Sequence, residues 1–255
     1  MPAEPVEEFA ALVDVARPRV PLDRACLAVA RQALPDLDVD AELRRLDELA
    51  AGVREPSIDG VVGHLVGDLG FAGDADTYHD ARNSLLPAVL DRRLGIPLTL
   101  SVVAMEVGRR VGVTIDGIGM PGHFLVREAG QDERYHDVYA QGRVLDPAGC
   151  RRIFAGLHPR ATWDDRYLEP IGERAIVARM LGNLAGAHRR SGDKRGLAWV
   201  LRLRLALPGA TPAEHRELAV LLGSLGRFDE GAEILERLDD DRDAVSAARL
   251  RARLN

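Results

Sequence analysis

The chain is short of lysine, of cysteine and of long apolar runs, and each shortage removes a class of protein. Lys194 is the sole lysine, so its positive charge is carried almost entirely by arginine, interspersed with Asp and Glu to a net charge of −6. A nucleic-acid binder needs a basic stripe to displace counterions, whereas Arg109-Arg110, Arg151-Arg152 and Arg189-Arg190 are isolated pairs, so no nucleic-acid partner is expected. Two cysteines, Cys26 and Cys150, cannot build a disulfide framework, and no CxxC or Cys/His cluster suggests zinc. The longest apolar stretches, such as Leu98 to Met105, fall far short of the roughly 20 residues a membrane-spanning helix needs. The opening MPAEPVEEFA has no basic flank followed by an apolar run, so the expectation is a cytoplasmic protein with no membrane partner.

What remains is an ordinary globular balance, 46% hydrophobic and 29% charged over 255 residues, enough to bury a sizeable core. Length suggests two domains, expected at 1–165 and 166–255. Residues 4–55 read as helices broken at Pro18, Pro21 and Pro35. Residues 58–93 continue as helix, loop, helix, with a break at Gly70 to Asp76. A further helix should start at Pro97, where a missing N–H does no harm, and end before Gly112. The period then changes to short β-branched or apolar runs: 113–120, 123–127, 134–139 and 143–145, with turns at Pro121-Gly122 and Ala140-Gln141-Gly142. Helices followed by an antiparallel sheet make the first part α+β, and an all-α segment follows residue 165. In that segment Gly192 and Gly226 stand one 34-residue period apart, each eight positions after a leucine (Leu184, Leu218), which suggests tetratricopeptide-like hairpins.

Three long motifs lie in the first part: NSLL (83–86), RRLGIPLTLS (92–101) and PGHFLVR (121–127), with Glu106, Gly117 and Asp137 to Gly142 alongside. Together they resemble the bacterial SirB-one family, a branch of the transglutaminase-like superfamily, over nearly the whole chain. The resemblance implies a helical lead-in, a papain-like core at about 78–150 and a C-terminal tetratricopeptide segment. The superfamily design it implies is a cysteine at a helix N-terminus, a histidine on a following strand and an Asp or Asn on the next. The chemistry explains that layout. A helix N-terminus and an imidazolium lower a thiol's pKa, the histidine shuttles the proton, and the carboxylate orients the ring.

Laid on this pattern, His123 takes the histidine position, Asp137 the acid position, and Arg109 and Gly112 match the helix that follows the nucleophile. The nucleophile position itself is Pro97, which has neither thiol nor hydroxyl nor N–H. Cys26 and Cys150 fall outside the order Cys, His, Asp. Thr99 and Ser101 share the Pro97 helix, but Thr99 points about 200° away and Ser101 lies a turn further on; satisfying backbone or cap bonds is their alternative role. His123 is either a cleft-lining remnant paired with Asp137 or a half-buried imidazole pinning two strands. Asn83 either caps a helix over 84–93 or lines the cleft, as Gly122 does in the cleft reading. Arg92, Arg93 and Glu106 suggest an ion-pair lattice supporting the helix pair. The pairs His79-Asp80 and His136-Asp137 point to opposite strand faces, so no metal is expected, and no cofactor either. The expected function is a non-catalytic protein binding a protein or peptide through its C-terminal helical repeats. The alternative is a hydrolase or acyltransferase in which His123 and Asp137 act with Thr99, Ser101 or an activated water.

Overall fold

The structure, a computed structural model, describes residues 5–131, 133–238 and 240–253. In chain order the elements are α1 (Pro5–Val13), α2 (Leu22–Ala30), α3 (Val39–Ala51), α4 (Ile58–Val62), β1 (Ala72–Gly73), α5 (Leu86–Arg92), β2 (Leu94–Gly95), α6 (Pro97–Arg110), β3 (Ile115–Ile118), β4 (Leu125–Glu128), β5 (Tyr135–Asp137), β6 (Arg143–Leu145), α7 (Pro147–Leu157), α8 (Glu173–Ser191), α9 (Lys194–Ala206), α10 (Pro212–Ser224), α11 (Phe228–Glu236) and α12 (Asp241–Arg251). The chain folds into two compact units: Arg19–Met180, and the chain up to Pro18 together with Leu181 onward. The first is helix plus antiparallel sheet and the second is helical, the fold class expected from the change of period.

The first unit is organised on α6. Pro97 opens it, and both ends lie where the proline and Gly112 place them. Leu98, Leu100, Val102, Val103, Ala104 and Val107 are all buried, so the helix is apolar around most of its circumference and is enclosed rather than laid on a surface. Each such Leu or Val contributes about 1.5–3 kcal/mol by leaving water. Helices α2, α3, α4 and α5 pack on it from one side and the sheet from the other. That sheet runs β3-β4-β5-β6, antiparallel throughout, with Gly117 opposite Val126, Val126 opposite His136 and Tyr135 opposite Leu145. Its far face carries Ile118, Met120, Leu125, Tyr135 and Leu145, which meet Cys150 and Phe154 of α7 in one buried cluster.

Residues 58–93 differ from the helix-loop-helix expectation. Helix α4 passes at once into a π-helical turn, Gly63–Asp68, and the chain then forms β1, which pairs in parallel with β2. Neither is visible to periodicity, since a two-residue strand has no period. Helix α5 starts at Leu86, not at 84. Asn83 therefore lies in a preceding 3-10 turn, Ala81–Ser84, and does not cap α5, whose N-cap Leu85 has no side-chain bond.

In the helical unit Gly192 separates α8 from α9, and Gly226 separates α10 from α11. Both are left-handed (φ 72° and 77°), a conformation glycine adopts without the Cβ clash. Consecutive helices pack on one another from α9 to α12, and α1 returns onto α9.

Candidate functional site

The strand side of the site is built first by β4 and β5. The turn before β4 places His123 so that its Nε2 lies 2.8 Å from Asp137 Oδ2 at the end of β5. Asp137 is buried, and its other oxygen accepts the Ala140 N–H at 3.0 Å, so the carboxylate cannot swing away. His123 is held from its backbone too. Arg179 donates to the carbonyls of His123 (2.9 Å) and Met120 (3.2 Å) and stacks on the Phe124 ring at 5.2 Å. Burial pulls the Arg179 guanidinium below its ordinary pKa, as expected for an enclosed cation that donates to neutral carbonyls. Sequence reasoning missed this arginine, which lies 56 residues from His123.

A chain of contacts leads from the imidazole to the helix side. The His123 ring meets Tyr139 edge-on at 6.2 Å, and Tyr139 in turn meets Tyr78 at 6.1 Å. Tyr139 also lies flat against Gly73, where an added Cβ would come within 2.4 Å of the ring, so only glycine fits there. Gly73 pairs with Gly95, two residues before Pro97. The N-terminus of α6 and the His123–Asp137 pair are thus joined through one aromatic wall.

Beneath that wall is a buried polar network that ties the sequence motifs together. Arg92 donates to Asp74 Oδ2 (2.7 Å) and to Asn83 Oδ1 (2.8 Å), and the Asn83 amide donates to the Thr77 carbonyl (2.7 Å). Asp74 also accepts from the Thr77 amide and hydroxyl, and these bonds, with that of Arg92, hold its carboxyl well below the usual range. Thr99 joins the network by donating its hydroxyl to the Asn83 carbonyl. Thr99, Ser101 and Asn83 have no exposed surface (0%), and among the described residues the Ser101 hydroxyl has no hydrogen-bond partner. Gly122 turns left-handed against the His158 ring.

The anticipated lattice of Arg92, Arg93 and Glu106 is not what forms. Arg92 belongs to the Asp74 network, and Arg93 donates to the Leu69 carbonyl. Glu106 instead sits with Arg109 and Arg110, and both arginines reach Asp23 of α2 as well (2.8 and 2.9 Å). The reason is helical geometry: residues three and four apart share a face, which aligns Glu106 with Arg109 and Arg110. Burial pushes the Glu106 carboxyl up, with the nearby Asp23 adding to it.

Neither thiol is fit for attack. Cys26 is fully buried in α2, and burial, then the charges of Glu106 and Asp23, raise it well above the ordinary cysteine value. Burial, then the charges of Asp146 and Asp137, push Cys150 up to about 11. Among the described residues no group of three or more His, Cys, Asp or Glu could hold a metal ion, and no helix is long and apolar enough to cross a membrane.

Comparison with known proteins fits this geometry. A family model described as the transglutaminase-like superfamily matches residues 11–182. A UPF0162 protein of Xylella fastidiosa is 37% identical over 179 residues, 65% of this chain and 64% of its own length. The corresponding protein of Pseudomonas aeruginosa is 33% identical over 68% of this chain and 66% of its own. The chain thus spans a little under two thirds of these relatives. F-box only protein 21 of Homo sapiens is 28% identical over 137 residues, half of this chain but 21% of that protein. No solved structure matches the chain significantly.

Proposed function

This chain belongs to the transglutaminase-like superfamily, and from that premise we propose that it is a non-catalytic member, of the SirB-one branch, that binds a protein or peptide partner. The observation that carries the reading is the state of the thiol and hydroxyl candidates weighed as partners for the His123–Asp137 pair. Pro97 occupies the post at the start of α6, both thiols are buried with raised pKa values, Thr99 is bonded to a carbonyl, and Ser101 is enclosed in the core. Nucleophilic catalysis by an imidazole needs a thiol or hydroxyl within hydrogen-bond reach; without one, only water is left to attack. His123 and Asp137 act instead as a brace between β4 and β5, with Tyr139 and Tyr78 forming the adjoining wall.

The partner surface is assigned to the helices from α8 onward, read as tetratricopeptide-like hairpins with Gly192 and Gly226 as their turns; stacked hairpins form grooves that accept peptides. Val220 and Val245 are exposed apolar side chains in this unit.

The test is a panel of thioester, ester and amide substrates given to the wild-type chain and to His123→Ala. No His123-dependent turnover is expected. Turnover that disappears in His123→Ala while the thermal melt is unchanged would establish the hydrolase or acyltransferase reading, with water as the attacking group. For the partner surface, Val220→Asp with Val245→Asp should abolish an interaction that the wild type makes and His123→Ala keeps.

A further inference from the structure

Residues alternate in direction along a strand, so while Asp137 faces His123, its neighbour His136 faces the other way. On that side lies a cavity of about 310 Å3, lined by Asp59, Val62, Val66, His136 and the turn residues Gln141 and Gly142 among others. Several unusual features converge here. His136 is 1% exposed and among the described residues its Nε2 has no hydrogen bond, a costly state for a buried polar atom. Part of the wall is the π-helical turn 63–68, a form found mostly as single turns and frequently at functional sites. Gln141 is one of two non-glycine residues with positive φ among the described residues, at 59°.

The chemistry of the lining selects the ligand. Among the described residues Asp59 is the only charged one in the lining. Arg134 donates to both Asp59 oxygens from outside the cavity, at 2.5 and 2.7 Å, and this bonding lowers the carboxyl below its ordinary pKa. The bidentate pair uses two of about four acceptor positions, so each oxygen can take one more donor. Burial lowers the His136 pKa and so favours the neutral ring, whose Nε2 accepts in the tautomer protonated at Nδ1. Nε2 and Asp59 Oδ1 are 3.8 Å apart, too far to bond each other and close enough for one N–H donor group to bridge both. An anion finds no free cation there. The half-exposed Asp59 side chain forms the lip, and Val62 and Val66 offer contact to a short alkyl stem.

We infer that this cavity is a second binding site, on the reverse of β5 from His123, for a primary ammonium group on a short alkyl chain. The ammonium bridges Asp59 and His136. Such a group comes either from a free alkyl amine or from a lysine side chain. The inference does not depend on whether His123 is catalytic.

The test follows the His136 ring signals by NMR in the full chain at constant ionic strength, with n-butylammonium as the probe. A saturable shift is expected. Asp59→Asn should weaken binding about tenfold or more, the scale of one charge-assisted hydrogen bond. Gly67→Leu is the second variant: a Cβ at Gly67 meets nothing within 4 Å, so the side chain can block the lip without disturbing the fold, and binding should be lost. Tighter binding of 1,4-diaminobutane identifies a free amine as the source, and tighter binding of Nα-acetyl-lysine amide identifies a side chain. A water molecule in place of a ligand would give no saturable shift with any amine, and that result would overturn the assignment. So would an equal response to tetramethylammonium, which has the charge without the N–H, or to butyrate, or an unchanged affinity in Gly67→Leu.

Discussion

The strand wall and the helix wall of the His123 site have been treated differently by the sequence. On the strand wall the imidazole and carboxylate are bonded at 2.8 Å and secured from behind by Arg179 and the Ala140 amide. On the helix wall α6 keeps its position, its apolar faces and the buried network under its first turn, while the residue at its start is Pro97. The difference teaches that the scaffold of a nucleophile site has structural value apart from the nucleophile. Asp74, Arg92 and Asn83 hold the chain around β1 and β2 whether or not a thiol follows, and Asp137 satisfies a histidine that would otherwise be a half-buried polar ring.

The largest effect should come from giving the helix wall what it lacks. Pro97→Cys places a thiol at a helix N-terminus on the His123 side, where the dipole and a protonated imidazole favour thiolate. Position 97 is buried as the native thiols are, so the contrast rests on the lowered pKa: alkylation of the new thiol at pH 7 should be about tenfold or more faster than that of Cys26 or Cys150, whose pKa values are raised, and it should drop in the His123→Ala background. Labelling no faster than the native thiols would mean that the two walls do not form one site.

Breaking the network under the helix wall comes next. Asp74→Ala leaves Arg92 partly buried without its charge partner, at a cost of about 3 kcal/mol, read from urea unfolding. The pH dependence has a definite sign. The Asp74 carboxyl is held below its ordinary value in the folded chain, so its contribution is complete above about pH 4, the unfolded value, and is lost as pH falls from there through the folded value. The stability gap between wild type and Asp74→Asn should therefore be full at pH 6 and shrink below pH 4.

A smaller effect is expected on the strand wall. Asp137→Asn keeps the shape but weakens the bond to His123, for about 1–2 kcal/mol in thermal or urea unfolding. The smallest is on α6 itself. Ser101→Ala removes a buried hydroxyl that has no partner, so stability should stay within about 0.5 kcal/mol of wild type or rise. A loss of more than 1 kcal/mol would assign Ser101 a bond it lacks here.

What the sequence revealed, and what it hid, follows from the reach of each signal. Helix α6 was legible because Pro97 and Gly112 mark its ends. The sheet was legible because runs such as 113–120 and 134–139 contain β3 and β5, although the strands themselves are shorter. The His123–Asp137 pairing could be placed by resemblance, and the structure brings the two together. The tie from Arg92 to Asp74 spans 18 residues, that from Arg109 to Asp23 spans 86, and Arg179 reaches His123 over 56; such partnerships leave no local pattern. The π turn and the pair β1-β2 were hidden because they are too short to have a period. Adjacent charges misled in one place: Arg92 and Arg93 are neighbours in sequence, yet Arg93 takes a left-handed φ of 55° that ends α5, and their guanidinium groups serve different loops.

The sealing of both sulfur atoms in the interior bears on the chemical ageing of the molecule. Peroxide reaches a thiol fastest when it is ionised and accessible, and Cys26 and Cys150 are neither. Oxidants would therefore meet sulfenic-acid chemistry only after the fold had opened, so the appearance of oxidised cysteine in a stored sample would report unfolding and not wear at a functional centre.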